Sequence, residues 1–118
     1  MPRIQEGGDI CTIIVTVDAA PELLPVLSAH ARLGIELFKG FPGFLGGALH
    51  MSEDQSRMVQ YLQWASESEY RACIDDPSWD ELASTKTFLE AVHSGQAQLD
   101  ARVFHVEAAS DASKTTER

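Results

Sequence analysis

The sequence predicts a single ferredoxin-like α+β domain with the element order βαββαβ, in which four antiparallel strands form one sheet. Three observations support this class. Four segments have the β-branched or alternating pattern of strands, two regions repeat apolar residues at helical spacing, and a length of 118 residues is usual for one domain. We expect the domain to span residues 10–108, between an N-terminal arm at 1–9 and a polar C-terminal tail at 109–118.

The first half of the chain predicts a strand, a long helix and a hairpin. Residues 10–17 are mostly β-branched, which is typical of a strand with apolar contacts on both faces. Residues 21–39 repeat apolar side chains every three or four positions, and a Gly-Phe-Pro-Gly sequence ends that helix. Strand patterns at 44–51 and 57–64 are separated by the polar turn 52–56, so these two strands form a hairpin.

The second half predicts further helix and a last strand. Ser66 is a typical N-cap residue, followed by acidic residues, and a helix should run over 67–74. The Asp-Asp-Pro sequence at 75–77 interrupts it, and apolar spacing then favours another helical segment between 79 and 95. Residues 101–108 alternate and are predicted to form the last strand.

The third strand has apolar side chains on both of its faces. Met58 and Leu62 point to one side, whereas Val59 and Tyr61 point to the other. The helices can cover only one face of the sheet, and large exposed apolar patches are rare on monomers. We therefore expect a homodimer in which two sheets face each other as a dimeric α/β barrel.

Composition excludes several function classes. Nine Lys and Arg residues against eighteen Asp and Glu residues give a net charge of −9, which disfavours nucleic acid as a partner. No apolar run is long enough for a membrane span, and the N-terminus lacks the apolar core of a signal peptide, so we expect a cytoplasmic protein. Cys11 and Cys73 lack metal-ligand spacing and are interpreted as buried reduced thiols.

The segment from residue 42 to residue 70 carries a family resemblance. It contains a Pro-Gly-Phe-Leu sequence at 42–45, a strand ending in His50, and Val-Gln-Tyr-Leu-Gln-Trp-Ala-Ser-Glu at 59–67, followed by Tyr70. Together these resemble the antibiotic-biosynthesis monooxygenase family, most closely its anthrone- and quinone-forming oxygenases of aromatic polyketide pathways. The resemblance implies a dimeric ferredoxin-like enzyme that oxidises polycyclic phenols with molecular oxygen and uses no flavin, haem or metal.

The same resemblance implies a set of site residues. The family's pocket tryptophan falls on Trp64, its pocket tyrosine on Tyr70 and its histidine on His50. Two positions depart from the pattern: the asparagine four residues before the tryptophan is Gln60, and the arginine of the later helix falls on Ala83.

The residues themselves suggest how such a site could work. Trp64 can donate its indole N–H to a developing oxyanion, and Gln60 projects onto the same strand face. His50 is a candidate base, because an imidazole can take up and release a proton near neutral pH. We expect these residues, with Tyr70, to line one pocket between sheet and helices, joined by Thr16 because the first strand should lie beside the third.

Each assignment has a structural alternative. Trp64 at the end of an apolar strand fits core packing, and His50 at a strand end fits a half-exposed surface residue. Tyr70 fits an amphipathic cap on the core, and for Gln60 packing and function are equally favoured. Gln60 and Ala83 also keep open a non-catalytic or cyclase-like polyketide-binding dimer, or a general quinone or oxidative-stress response protein.

Overall fold

The computed structural model describes residues 10–110, and for residues 83 and 84 it describes the backbone alone. The predicted N-terminal arm and most of the predicted C-terminal tail lie outside these residues. Eight elements follow in chain order: β1 (Cys11–Ala19), α1 (Leu24–Phe38), β2 (Phe44–Met51), β3 (Arg57–Trp64), α2 (Glu67–Ile74), a 3₁₀ helix (Pro77–Glu81), α3 (Ala83–His93) and β4 (Ala97–Phe104).

The four strands form one antiparallel sheet in the order β2-β3-β1-β4. This order, with β1 and β3 at the centre, is that of ferredoxin-like domains, and the predicted fold class is confirmed. The helices pack on one face of the sheet, where their apolar residues meet those of the strands. We call this the helix face and the opposite side the open face.

Several predicted boundaries agree with the structure. The hairpin strands 44–51 and 57–64 and the helix 67–74 have the predicted limits. Ser66 caps α2 as expected, since its hydroxyl oxygen accepts a hydrogen bond from the Glu69 backbone N–H at 3.2 Å. Local side-chain chemistry therefore defines these elements.

The predicted limits of the last strand are wrong. The alternating pattern predicts it over 101–108, but β4 covers Ala97–Phe104. Pairing with β1 explains the shift, because the ladder runs from Ala19 opposite Ala97 to Thr12 opposite Phe104. β1 begins only one residue before Thr12, so the alternating residues beyond Phe104 have no paired strand beside them.

The core divides into two clusters of buried side chains. One joins β1, β3 and the start of β4 to α1 and α3, and comprises Val17, Leu24, Leu27, Ala31, Met58, Ala91 and Ala97. The other joins the opposite ends of the same strands to α2, and comprises Cys11, Ile13, Leu62, Trp64 and Cys73. The boundary between the clusters crosses the middle of the sheet.

Candidate active site

Trp64 lies at the centre of an aromatic cluster on the helix face. Its side chain is fully buried. The rings of Phe44, Phe38 and Tyr70 surround it, with centroid distances of 5.1, 5.7 and 6.0 Å. These tilted and edge-on contacts are favourable for aromatic pairs and fix the orientation of the indole.

The indole N–H of Trp64 is buried and, within the described residues, has no hydrogen-bond acceptor. A buried donor without a partner costs about 1–3 kcal/mol relative to a satisfied one. Such groups are rare in folded proteins and call for a specific explanation, which includes a ligand that accepts the bond.

The row of side chains through Gln60 marks the boundary between the two core clusters. Gln60 pairs with Val15 on one side and Leu49 on the other, and Val15 pairs with Ala101. Paired residues share a face of the sheet, so all four lie on the helix face with Trp64. None of the four is fully buried, although Gln60 and Val15 lie on the two central strands.

The neighbouring rows on the central strands are sealed. Leu62 and Ile13 on one side, and Met58 and Val17 on the other, are each exposed by no more than 2%. A central row that solvent reaches, between two rows that it does not reach, indicates that the helices leave a gap above it. We call this gap the Gln60 slot, and its sheet floor is the row Leu49, Gln60, Val15 and Ala101.

Gln60 and Trp64 face the same side, as predicted. They are four residues apart in β3, which corresponds to about 13 Å along the strand. Leu62 lies between them. A single ligand that contacts both must therefore be long, and must extend from the Gln60 slot across Leu62 to the aromatic cluster.

Tyr70 places a phenol at the aromatic end of this region. Burial raises the pKa of Tyr70 above its ordinary value, against a smaller opposing effect from the charge of Arg71. The hydroxyl therefore stays protonated near neutrality. Arg71 lies over the Tyr70 ring, 5.9 Å from its centroid, and pairs with Glu67 at 3.0 Å one helical turn earlier.

Thr16 and His50 do not lie on the same face of the sheet as Gln60 and Trp64, although one pocket was predicted for all of them. Thr16 pairs with Val59, and so does His50, which places both on the open face. A bulge in β2 explains why His50 lies on the open face. Phe44 pairs with Trp64 on the helix face, but Gly46, two residues later, pairs with Gln63 on the open face. The extra residue reverses the alternation, so Leu49 instead of His50 lies beside Gln60. The sheet separates both residues from Trp64 in the same protomer.

A further tryptophan contributes to the cluster, although the sequence predicts it only as a helical residue. Trp79, in the 3₁₀ helix, makes an edge contact with Phe38 at 5.5 Å and stacks on Phe41 at 5.7 Å. Its indole N–H donates to the Cys73 carbonyl oxygen at 2.7 Å. The two tryptophans thus differ, because only Trp79 has a hydrogen-bond acceptor among the described residues.

The polar residues considered for other chemistry have structural roles. Asp76 accepts a hydrogen bond from the Ser78 backbone N–H at 2.8 Å and so caps the 3₁₀ helix. Within residues 10–110, no three His, Cys, Asp or Glu side chains are grouped as metal ligands. Cys11 and Cys73 are free and buried, as predicted, and burial raises the pKa of Cys73 to about 11.

Comparison with solved structures shows the same architecture. SnoaB, a cofactor-independent oxygenase from Streptomyces nogalater, is 18% identical, with a TM-score of 0.62 over 86% of this chain and 97% of that chain. A Nitrosomonas europaea protein provisionally named as an antibiotic biosynthesis monooxygenase is 16% identical, with a TM-score of 0.63 over 86% of this chain and 94% of that chain. At these identities the similarity concerns the fold.

Sequence comparison goes further. The chain is 33% identical to tetracenomycin-F1 monooxygenase of Streptomyces glaucescens over 78 residues, which are 65% of this chain and 70% of that protein. It belongs to the antibiotic-biosynthesis monooxygenase family. The family resemblance inferred from residues 42–70 is thereby confirmed. No protein-family model matches the chain, and no helix among the described residues is long and apolar enough to cross a bilayer.

Proposed function

We propose that this family member is a cofactor-independent monooxygenase that oxidises a polycyclic phenol or anthrone to a quinone in aromatic polyketide biosynthesis. The observation that carries the proposal is the buried indole N–H of Trp64, which lacks an acceptor among the described residues. Two relatives support it: tetracenomycin-F1 monooxygenase acts on a compound of that name, and SnoaB is a cofactor-independent oxygenase. We propose the cytoplasm as the site of action.

The reaction needs little covalent help from the protein. An anthrone loses a proton from its methylene carbon, and the resulting carbanion passes one electron to oxygen. Recombination of the radical pair gives a carbon-bound peroxide, which takes up a proton and then eliminates water as the carbon loses its second hydrogen. One oxygen atom of O₂ remains as the new carbonyl and the other leaves as water. The protein must therefore favour the anion and hold the reactants in a dry site.

The helix-face residues fit these tasks. Trp64 would donate its N–H to the oxygen of the substrate anion, in a site where aromatic rings replace water. Tyr70, which is protonated near neutrality, would donate a hydrogen bond from its phenol O–H to an oxygen of the substrate or accept one from it. Gln60 would contact the far end of a long substrate. Thr16 and His50 lie on the open face, so a direct contact with the same substrate is not part of the proposal.

Trp64→Phe is the decisive variant, because it removes the N–H donor and keeps a ring in the cluster. Loss of one preorganised donor to a developing oxyanion lowers kcat by about 100- to 1000-fold in comparable sites. The measurement is oxygen uptake and quinone absorbance with an anthrone, using metal-free protein in the presence of a chelator. Trp79→Phe is the matched control, since its N–H already bonds the Cys73 carbonyl, and a much smaller loss is expected.

Wild-type protein that gives no acceleration over spontaneous oxidation would refute the oxygenase proposal. The second candidate is then a non-catalytic or cyclase-like polyketide-binding dimer, or a quinone-response protein. One observation favours it: Gln60 replaces the asparagine of the related oxygenases, and its amide nitrogen is directed at the backbone of α1. Oxygenation that appears only in Gln60→Asn would support this candidate.

We also propose that the open face is covered by a second copy of the chain. Ile14, Val59 and Tyr61 are only partly buried there, and Phe104 is 43% exposed. These side chains form an apolar surface of the kind that monomers rarely expose. Light scattering at micromolar concentration should give the mass of a dimer for the wild type. The variant Tyr61→Glu, which places a charge on the open face, should lower the measured mass toward that of a monomer. A stable wild-type monomer would contradict this proposal.

A further inference from the structure

We propose that Gln60 makes the protein selective for substrates that carry a free hydroxyl group at the end remote from Trp64. This inference rests on the proposed function and names the substrate class of the same site. It starts from the way in which the Gln60 side chain is held.

The orientation of the Gln60 amide follows from its partner. The side chain approaches the Ala31 backbone carbonyl oxygen of α1, at 3.4 Å from Nε2. A carbonyl oxygen can only accept hydrogen bonds, so the amide nitrogen must face it. The amide oxygen Oε1 therefore points away from this contact.

The free Oε1 is open to a ligand. It makes no hydrogen bond to a described residue, and it is absent from the buried unpaired atoms, which include Oε1 of the nearby Gln63. Gln60 is only partly buried, and we infer that this oxygen borders the Gln60 slot. An amide oxygen has lone pairs and no hydrogen, so the group it presents to the slot is an acceptor.

The row that forms the floor of the slot is open at its β4 end. Ala101 is exposed at this end and pairs with the partly buried Val15. Leu49 lies at the opposite end of the row, beside Gln60, and is partly buried. A polycyclic substrate that enters over Ala101 would bring its edge to Gln60 while its other end reaches across Leu62 to Trp64.

An acceptor at that edge discriminates between oxygen substituents. A hydroxyl can donate a hydrogen bond to Oε1, whereas a methyl ether or a ketone offers only lone pairs and leaves the acceptor unpaired. Sites built around one hydrogen bond reject the analogue that lacks it by at least about tenfold, and often by more. We expect a preference of about tenfold to a hundredfold in kcat/KM.

The test compares 2-hydroxyanthrone with 2-methoxyanthrone, whose substituents both donate electrons to the ring. The kcat/KM for each is taken from oxygen uptake, corrected for spontaneous oxidation. The Kd for each is taken from quenching of tryptophan fluorescence under anaerobic conditions. Wild type should prefer the hydroxyl compound in both measurements.

Gln60→Met is the key variant, because methionine has a similar length and flexibility but no amide. The preference should fall to about threefold or less, with binding of the methoxy compound unchanged or improved. Gln63→Leu is the matched control, since Gln63 lies in the same strand but on the open face, and it should retain the wild-type preference.

The outcomes separate the two proposals. Equal kcat/KM and equal Kd for the two compounds in wild type would overturn the selectivity inference and leave the oxygenase proposal standing. Tighter binding of the hydroxyl compound without any oxidation would support the inference and refute the oxygenase proposal. A preference that survives in Gln60→Met would assign the selectivity to another residue and overturn the inference.

Discussion

The turn before β2 offers a stability test that separates backbone strain from close packing. Gly43 has φ +89°, a conformation that side chains rarely adopt, and a Cβ placed there would lie 2.5 Å from Glu69 Cδ and 2.8 Å from Glu69 Cβ. Its carbonyl oxygen accepts a hydrogen bond from the Ala65 backbone N–H at 2.7 Å. The turn is thus closely packed against Glu69 of α2, the helix that carries Tyr70.

Two other glycines provide matched controls. Gly95 has φ +83° with nothing within 4 Å of the position that a methyl group would take, and Gly34, within α1, also has open space. Gly34→Ala should raise the free energy of unfolding by about 0.5–1 kcal/mol, because alanine is the better helix former. Gly95→Ala should lower it by about 1–2 kcal/mol from backbone strain alone. Gly43→Ala adds overpacking of about 1–3 kcal/mol, for a total of about 2–5 kcal/mol.

Urea unfolding of the three variants measures these differences. Combining Gly43→Ala with Glu69→Ala should recover the overpacking part, because the side chain that the new methyl meets is then removed. Glu69→Ala alone provides the reference, since it also loses the 3.1 Å contact with the Ser66 hydroxyl. Equal losses in Gly43→Ala and Gly95→Ala, or no recovery in the double variant, would refute the packing argument.

Two further predictions concern ionisable groups. A hydrogen bond from Arg57 lowers the pKa of Asp18 below its ordinary value. The ionised Asp18 carboxylate therefore stabilises the folded protein at pH values above that ordinary pKa, and this contribution is lost as the pH falls through the lower pKa of the folded state. Urea unfolding at about pH 6 and about pH 2.5 should therefore show a smaller loss of stability in Asp18→Asn than in wild type; an equal loss would contradict this. Cys11 and Cys73 are buried and burial raises both of their pKa values, so neither should react with a thiol reagent at about pH 8 until urea unfolds the protein; rapid labelling of native protein would contradict this.

Sequence reasoning succeeded where local chemistry determines the structure. The hairpin turn is closed by the Ser52 hydroxyl, which accepts hydrogen bonds from the backbone N–H groups of Ser56 and Arg57. Ser66 caps the start of α2 in the same local way, by accepting a hydrogen bond from the Glu69 backbone N–H. The alternation within β3 also placed Gln60 and Trp64 on one face without knowledge of any partner strand.

It failed where strand pairing over long separations decides the result. The limits of β4 depend on the ladder with β1, almost ninety residues earlier, which the local alternation does not encode. The face of His50 depends on the bulge between Phe44 and Gly46, since unbroken alternation from Phe44 would have put His50 on the helix face. Thr16 was correctly placed beside β3, but on the wrong face relative to Gln60.

The two tryptophans of the aromatic cluster differ in whether their indole N–H groups have an acceptor among the described residues. Both rings contact Phe38, and both fill space between the sheet and the helices. Trp79 has its N–H satisfied by a backbone carbonyl, so its indole is fully accounted for by structure. For Trp64, a phenylalanine would fill much of the same volume without burying an unpaired donor, which costs about 1–3 kcal/mol. Under the proposed function, a substrate oxygen that accepts the Trp64 N–H would recover that free energy on binding.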